Sequence, residues 1–240
     1  MIKVIDHNKM GKSERGWLHS LFHFSFAEYY NPNNIQFGAL RVVNDDVFDP
    51  QGGFPTHPHS DMEIISYVVD GELTHKDSLG NGRTLTKGQV QYMSAGKGIL
   101  HSEFNYAEKP SRFLQIWILP DAAGYEPAYG DYDFKWEDRE NTWLQIASGK
   151  KGSAPVKINQ DMNVSVINLD AGKEAAYELP AGRQAYLIQI EGLGSVNGHA
   201  LQERDAAEIT EESQIVLSAT RNSHYILFDN RTCIQLCRYV

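Results

Sequence analysis

The chain is short of the features that mark secreted, membrane-spanning or nucleic-acid-binding proteins. Only two of its 240 residues are cysteine, Cys233 and Cys237. They are too few for a disulfide framework and wrongly spaced for a zinc knuckle, so both are expected as reduced, partly buried thiols in a reducing cytoplasm. No apolar run approaches the roughly 20 residues of a membrane helix. The segment Met1 to Trp17 has neither the apolar centre of a signal peptide nor the Arg-rich, acid-poor character of a transit peptide. Acidic residues outnumber basic ones, 31 to 22, for a net charge of −9. With no uniform positive field and no basic arm, the balance argues against a dedicated nucleic-acid binder. A soluble protein remains, and 41% hydrophobic with 22% charged residues is ordinary for one large domain or two of usual size.

Helix-period patterning is also scarce, while short β-branched and aromatic runs recur between turn signals. The runs 36–43, 63–69, 89–94, 112–119, 163–169, 185–191, 213–219 and 223–229 read as strands. Asp70-Gly71, Gly80-Asn81-Gly82, Gly96-Lys97-Gly98, Glu191-Gly192 and Asn197-Gly198 supply hairpin turns. Without regular βαβ alternation the prediction is all-β, an antiparallel sandwich or barrel. Residues 120–141, rich in Pro, Gly, Asp and Tyr, read as a connector, which sets domains at 1–130 and 131–240. Two echoes suggest a duplication: 68–71 resembles 189–192, and 92–95 resembles 216–219, each about 120 residues apart.

Seven of the nine histidines fall within the first 101 residues. His57-Pro58-His59 and His101-Ser102-Glu103 stand out, because residues two apart on a strand point to one face, roughly 6.6 Å apart. Three imidazoles and a carboxylate suit a divalent transition metal and leave coordination positions open; iron, manganese, cobalt, nickel and copper all accept that donor set, and zinc is also compatible. Pro58 cannot donate a ladder bond and places the first pair at a strand entry or edge. The face of His57 and His59 is expected to continue through Asp61, Glu63, Ile65, Tyr67 and Val69, on a strand buried on both sides. His7, His75, His199 and His224 read as ordinary hydrogen-bonded residues, and His19 and His23 as structural.

At these residues the sequence resembles the cupins, and more closely the pirin family of bicupins. The first cupin motif is carried by Gly53-Phe54-Pro55-Thr56-His57-Pro58-His59, continues to Glu63 and closes at Gly71. The second is carried by Gly88 and Met93 to Glu103, with Asn105 following. Phe22 to Pro32 and His75 to Asn81 are similar to pirin segments too. The resemblance is strong over 17–120 and weak elsewhere, and the tail 230–240 is unlike the family's. It implies two β-barrel (cupin, jelly-roll-like) domains with one mononuclear metal, usually iron as Fe2+, in the first, held by His57, His59, His101 and Glu103. The second half has Glu178-Leu179-Pro180 where His-x-His would stand and is expected to be a degenerate cupin without metal. Bacterial members imply a quercetin 2,3-dioxygenase, which opens the heterocycle of a flavonol with O2 and releases carbon monoxide; in that chemistry Glu103 is expected to stabilise the site and, on loosening its metal bond, to take the proton of the 3-hydroxyl. Phe24, Phe26, Ile65, Tyr67 and Phe104 are candidates for the apolar and aromatic wall of such a site. Eukaryotic pirins imply the alternative, a non-enzymatic redox-sensing regulatory protein in which the metal's oxidation state sets the shape or charge of a surface that binds a protein partner.

Both Glu63 and Glu103 could serve as the carboxylate. Glu63 lies four residues beyond His59, about 13 Å along a regular strand, whereas Glu103 repeats the two-residue spacing of the first pair. The expectation is that Glu103 binds the metal and that Glu63, facing inward, hydrogen-bonds and orients a histidine.

Overall fold

The structure, a computed structural model, describes residues 1–232; Cys233, Cys237 and the rest of the tail lie outside the described residues. The chain forms two compact units. One comprises Met10–Phe134 with Ile158–Gln160, the other Met1–Lys9, Lys135–Lys157 and the described residues from Asp161 to Thr232. Met1–Lys9 and Ile158–Gln160 thus fold with the unit on the far side of the division that the sequence suggests at residue 130.

The first unit has a seven-stranded sheet in the order Ala128–Tyr132, Val90–Ser94, Glu63–Asp70, Ser111–Ile118, Leu40–Phe48, Leu18–Phe22, Gly11–Glu14. Its second sheet has four strands, in the order Gly53–His59, Ile99–Phe104, Glu72–Asp77, Gly82–Thr86. Leu18, Phe48, Val68 and Phe113 of the large sheet pack on Leu73 and Leu85 of the small one, so the two are layers of one sandwich. The other unit repeats this arrangement, with Leu187, Ala207 and Leu227 against Val196, Leu201 and Leu217. Among the described residues there is no α-helix, only the 3-10 turns His7–Lys9 and Trp136–Arg139. The all-β fold is as expected, with each domain a jelly-roll-like pair of sheets instead of a closed barrel.

Both units share one strand order. The middle of the first large sheet reads Val90–Ser94, Glu63–Asp70, Ser111–Ile118, Leu40–Phe48; that of the second reads Ala206–Ile209, Arg183–Glu191, Ser223–Arg231, Met162–Leu169. Gly71 and Gly192 each follow the second of these strands and lead into a small-sheet strand, so the first sequence echo marks equivalent positions. The second echo does not. Tyr92 to Ala95 begins in a large-sheet strand and Val216 to Ala219 lies in a small-sheet strand, and their likeness is only that of buried β-structure.

Two elements depart from the sequence reading. The strand placed at 36–43 runs instead from Leu40 to Phe48. Its Asn44-Asp45-Asp46 run looks like a loop, yet all three residues are buried, and Asp45 accepts a two-pronged bond from Arg112 at 2.9 and 2.8 Å. The connector contains the strand Ala128–Tyr132, paired with Val90–Ser94 at the edge of the large sheet.

The equivalent glycines are testable. Gly71 and Gly192 have φ of +78° and +92°, and an added Cβ would stand 2.6 Å from the Pro110 carbonyl oxygen and 2.2 Å from that of Asn222. Left-handed backbone and overpacking each cost about 1–3 kcal/mol in an L-residue. Gly71→Ala and Gly192→Ala should each lower the melting temperature by about 5–10 °C. A variant that melts like the parent would break the equivalence.

Candidate metal centre

Antiparallel pairing of Gly53–His59 with Ile99–Phe104 sets His101 opposite His57 and Ile99 opposite His59. Three imidazoles converge there: ring centroids are 4.4 Å apart for His57 and His101 and 4.9 Å for His59 and each of the other two. One nitrogen from each ring lies within 4.8 Å of the others, a group that could hold a metal ion. The Nδ1–H of His57 donates to the Pro55 carbonyl at 2.8 Å, which leaves its Nε2 lone pair free, 3.0 Å from Nε2 of His101. Burial, then the charge of His57, lowers the His59 pKa to about 4. Burial, then the charges of the neighbouring histidines, lowers that of His101 to about 2. Both rings are therefore neutral near pH 7, the form in which imidazole donates to a metal. A groove of ≈ 450 Å³ runs past His59 between Pro58, Ser78 and Leu100.

Glu103 lies one step deeper. A register shift puts Glu103 opposite Phe54 on one side, and on the other side it pairs with His75. Its carboxylate accepts from Ser66 Oγ at 2.9 Å and from Gln115 Nε2 at 2.6 Å. Burial outweighs those bonds and raises its pKa to about 7. His75, His101 and Glu103 form a second group with one ligand atom each within 4.8 Å. His75 therefore stands beside the cluster, although the sequence reading gave it no such role. Its Nε2–H donates to Asp77 at 3.2 Å, Gln91 Nε2 lies 3.0 Å from its Nδ1, and its ring stacks on Tyr129. The signal was its place two residues before Asp77, legible only once the strand is known to pair with Ile99–Phe104.

Glu63 does not orient a histidine. It is buried and accepts from Tyr92 Oη at 2.8 Å, from the Asn159 backbone N–H at 2.6 Å and from the Gln160 backbone N–H at 2.9 Å. The expected continuous face fails at residues 60–62, where the chain leaves one sheet for the other and Asp61 takes φ +47°. That break resets the alternation. Ser66 then faces Glu103, so Ile65 and Tyr67 point the other way and cannot wall the cluster. The strand is buried on both faces, as expected. Of the other aromatic candidates, Phe26 packs on Trp117, which packs on His59, whereas Phe104 stacks on Tyr106.

At the equivalent places the second unit is apolar. Val196, the fourth residue after Gly192 as His75 is after Gly71, pairs with Leu217 as His75 pairs with Glu103. Ile215 then stands for His101, its partner Tyr177 for His57, and Leu179 for His59. Val196, Leu179, Ile215 and Leu217 are buried in one apolar cluster with Tyr177 against it. His224, also buried, lies 5.2 Å from the Trp136 ring and 3.4 Å from Glu191, away from these positions in the strand order. Among the described residues one further group could hold an ion, Asp6, His7 and Asp205. There His7 Nδ1 is already 2.7 Å from Asp205.

Two jelly-roll units in one chain, one with a histidine cluster on its small sheet, define a bicupin. More narrowly, the chain belongs to the pirin family: residues 4–118 match the family model described as Pirin, and residues 145–229 match the quercetinase C-terminal cupin domain. A pirin-like protein of Caulobacter vibrioides is 46% identical over 231 residues, 95% of this chain and 99% of that one. The quercetin 2,3-dioxygenase of Escherichia coli K12 is 37% identical over 230 residues, 95% of this chain and 98% of that one. The crystal structure of YhhW from Escherichia coli superposes with a TM-score of 0.91 at 36% identity, covering 97% of this chain and 99% of that one. YhhW has also been crystallised in complex with nickel(II), with a TM-score of 0.90 to this chain.

The histidine pKa values fix a sign. Those of His59 and His101 are depressed below 6.5, so below pH 6.5 the unfolded chain binds protons that the folded one refuses. Their contribution to stability is whole above pH 6.5 and is lost as pH falls toward 4 and below. In metal-free protein, His101→Asn should reduce the slope of unfolding free energy between pH 6.5 and 4 by about one proton, ~1.4 kcal/mol per pH unit. Urea titrations at stepped pH measure it, and an unchanged slope would contradict the buried, neutral state of that ring.

Proposed function

We propose that the chain is a cytoplasmic, metal-dependent dioxygenase that opens the central heterocycle of a flavonol such as quercetin with O2 and releases carbon monoxide. The observation that carries this reading is the convergence of three imidazoles with two Nε2 atoms 3.0 Å apart, in a chain 37% identical to a quercetin 2,3-dioxygenase. The His57 Nε2 lone pair faces His101 Nε2, which is its donor in one tautomer and a second lone pair for a bridging cation in the other, and the donor set fits one divalent transition metal. His57, His59 and His101 would hold it, with Glu103 as the carboxylate ligand, and we assign it to Fe2+. When bound, such an ion supplies Lewis acidity and a redox centre, and lowers the pKa of a hydroxyl beside it.

The protein's own groups do the rest. Burial pushes the Glu103 carboxyl up to about 7 in the metal-free chain, and on loosening its metal bond this group would take the proton of the flavonol 3-hydroxyl, with Ser66 and Gln115 holding its two oxygens. Trp117 and Phe26 give an aromatic wall beside His59 for a planar substrate. Localisation in the cytoplasm rests on the sparse cysteines.

Anaerobic reconstitution with Fe2+, followed by quercetin and O2, should release carbon monoxide in proportion to quercetin consumed. Metal binding with reversible redox and no carbon monoxide would contradict the reading and support the regulatory alternative.

The carboxylate assignment has its own test in metal content and metal-centred spectroscopy. Glu103→Gln should weaken metal retention by about 10–100-fold and change the spectrum, while Glu63→Gln keeps both. The reverse pattern would sink the assignment.

A further inference from the structure

Trp117 lies on the strand Ser111–Ile118, two residues after Gln115, and so shares the inner face from which Gln115 reaches Glu103. Its indole stands edge-to-face against His59, with centroids 4.8 Å apart at 83°, and against Phe26, 5.4 Å apart at 88°. Ile64, Met93 and Ile99 pack around it. Its Nε1–H is buried and has no hydrogen-bond partner among the described residues. A buried indole N–H usually finds an acceptor, and leaving a buried donor unmet costs about 1–3 kcal/mol. Ring faces take such a proton only weakly. Trp143 of the other unit also has an unmet buried indole N–H, so what sets Trp117 apart is that its ring packs on His59 of the cluster.

We propose that Trp117 is a specificity-determining residue whose indole N–H donates to the 4-carbonyl oxygen of a 3-hydroxy-4-keto aromatic ligand at the histidine cluster. This rests on the flavonol reading above and names the ligand feature the site selects. In such a ligand the two oxygens sit on adjacent ring carbons, so holding the 3-oxygen at the imidazoles brings the 4-carbonyl to the cluster's edge. A flavan-3-ol has the hydroxyl but no carbonyl and leaves the N–H unmet.

The test uses full-length, zinc-loaded, 15N-labelled protein, which is diamagnetic and redox-inert. The chain has only four tryptophans, so four indole N–H resonances are followed while quercetin or a flavan-3-ol is added. Quercetin should move one of them downfield, that resonance should be missing from Trp117→Phe, and the flavan-3-ol should leave it in place. Calorimetry should show quercetin binding Trp117→Phe about fivefold to tenfold more weakly at unchanged zinc content. Four unmoved resonances at saturating quercetin, or equal affinity in parent and variant, would overturn the role of Trp117 while leaving the flavonol reading intact. If the variant does not fold, the parent titration decides alone, since a shift by quercetin and none by the flavan-3-ol supports the carbonyl contact. A parent protein that binds no quercetin would overturn the flavonol reading, and this inference with it.

Discussion

A buried imidazole has two ring nitrogens to satisfy, and His101 satisfies only one of them from the protein. Its Nε2 meets another imidazole, and its Nδ1 is buried without a hydrogen-bond partner. The sandwich around it holds further polar atoms in the same condition: Asn44 Oδ1, Asp46 Oδ1, Gln91 Oε1 and Trp117 Nε1. Each such atom costs about 1–3 kcal/mol when left unmet. Burial also lifts the carboxyls of Glu103 and Asp46 to about 7. A cation at the imidazoles would give the His101 ring the partner that the protein does not supply.

The companion unit shows what the same fold does without that demand. Where the first unit has His57, His59, His75, His101 and Glu103, the second has Tyr177, Leu179, Val196, Ile215 and Leu217, closed into one apolar cluster. Each aliphatic side chain buried there contributes about 1.5–3 kcal/mol. At these positions one sandwich is filled with apolar side chains and the other with imidazoles and a carboxylate, and their shared strand order makes the comparison position by position. Asp45, clamped by Arg112, and Asp77, bonded by Asn81, Leu79 and His75, show how the first unit keeps other buried or half-buried carboxylates satisfied.

Periodicity made the long strands legible to within a few residues, because Glu63–Asp70, Ser111–Ile118, Met162–Leu169 and Ser223–Arg231 are runs of β-branched and aromatic residues bounded by turns. Leu40–Phe48 was displaced because its charged half is buried, and partners from other strands, invisible to local composition, are what permit that. Two-residue spacing brought out His57, His59 and His101, since residues two apart on one strand share a face. Longer extrapolation failed at Asp61: a single left-handed residue and a change of sheet turned Glu63 away and exchanged Ile65 and Tyr67 for Ser66. His75 and Trp117 were missed because their relation to the cluster is made across strands, through register and not sequence distance.

Crystals of the metal-loaded protein, measured for anomalous scattering at the absorption edge of the added metal, would test the central claim most directly. The account predicts one peak per chain, about 2.0–2.2 Å from a nitrogen of each of His57, His59 and His101. No peak at those imidazoles, or a principal peak at Asp6, His7 and Asp205, would contradict it.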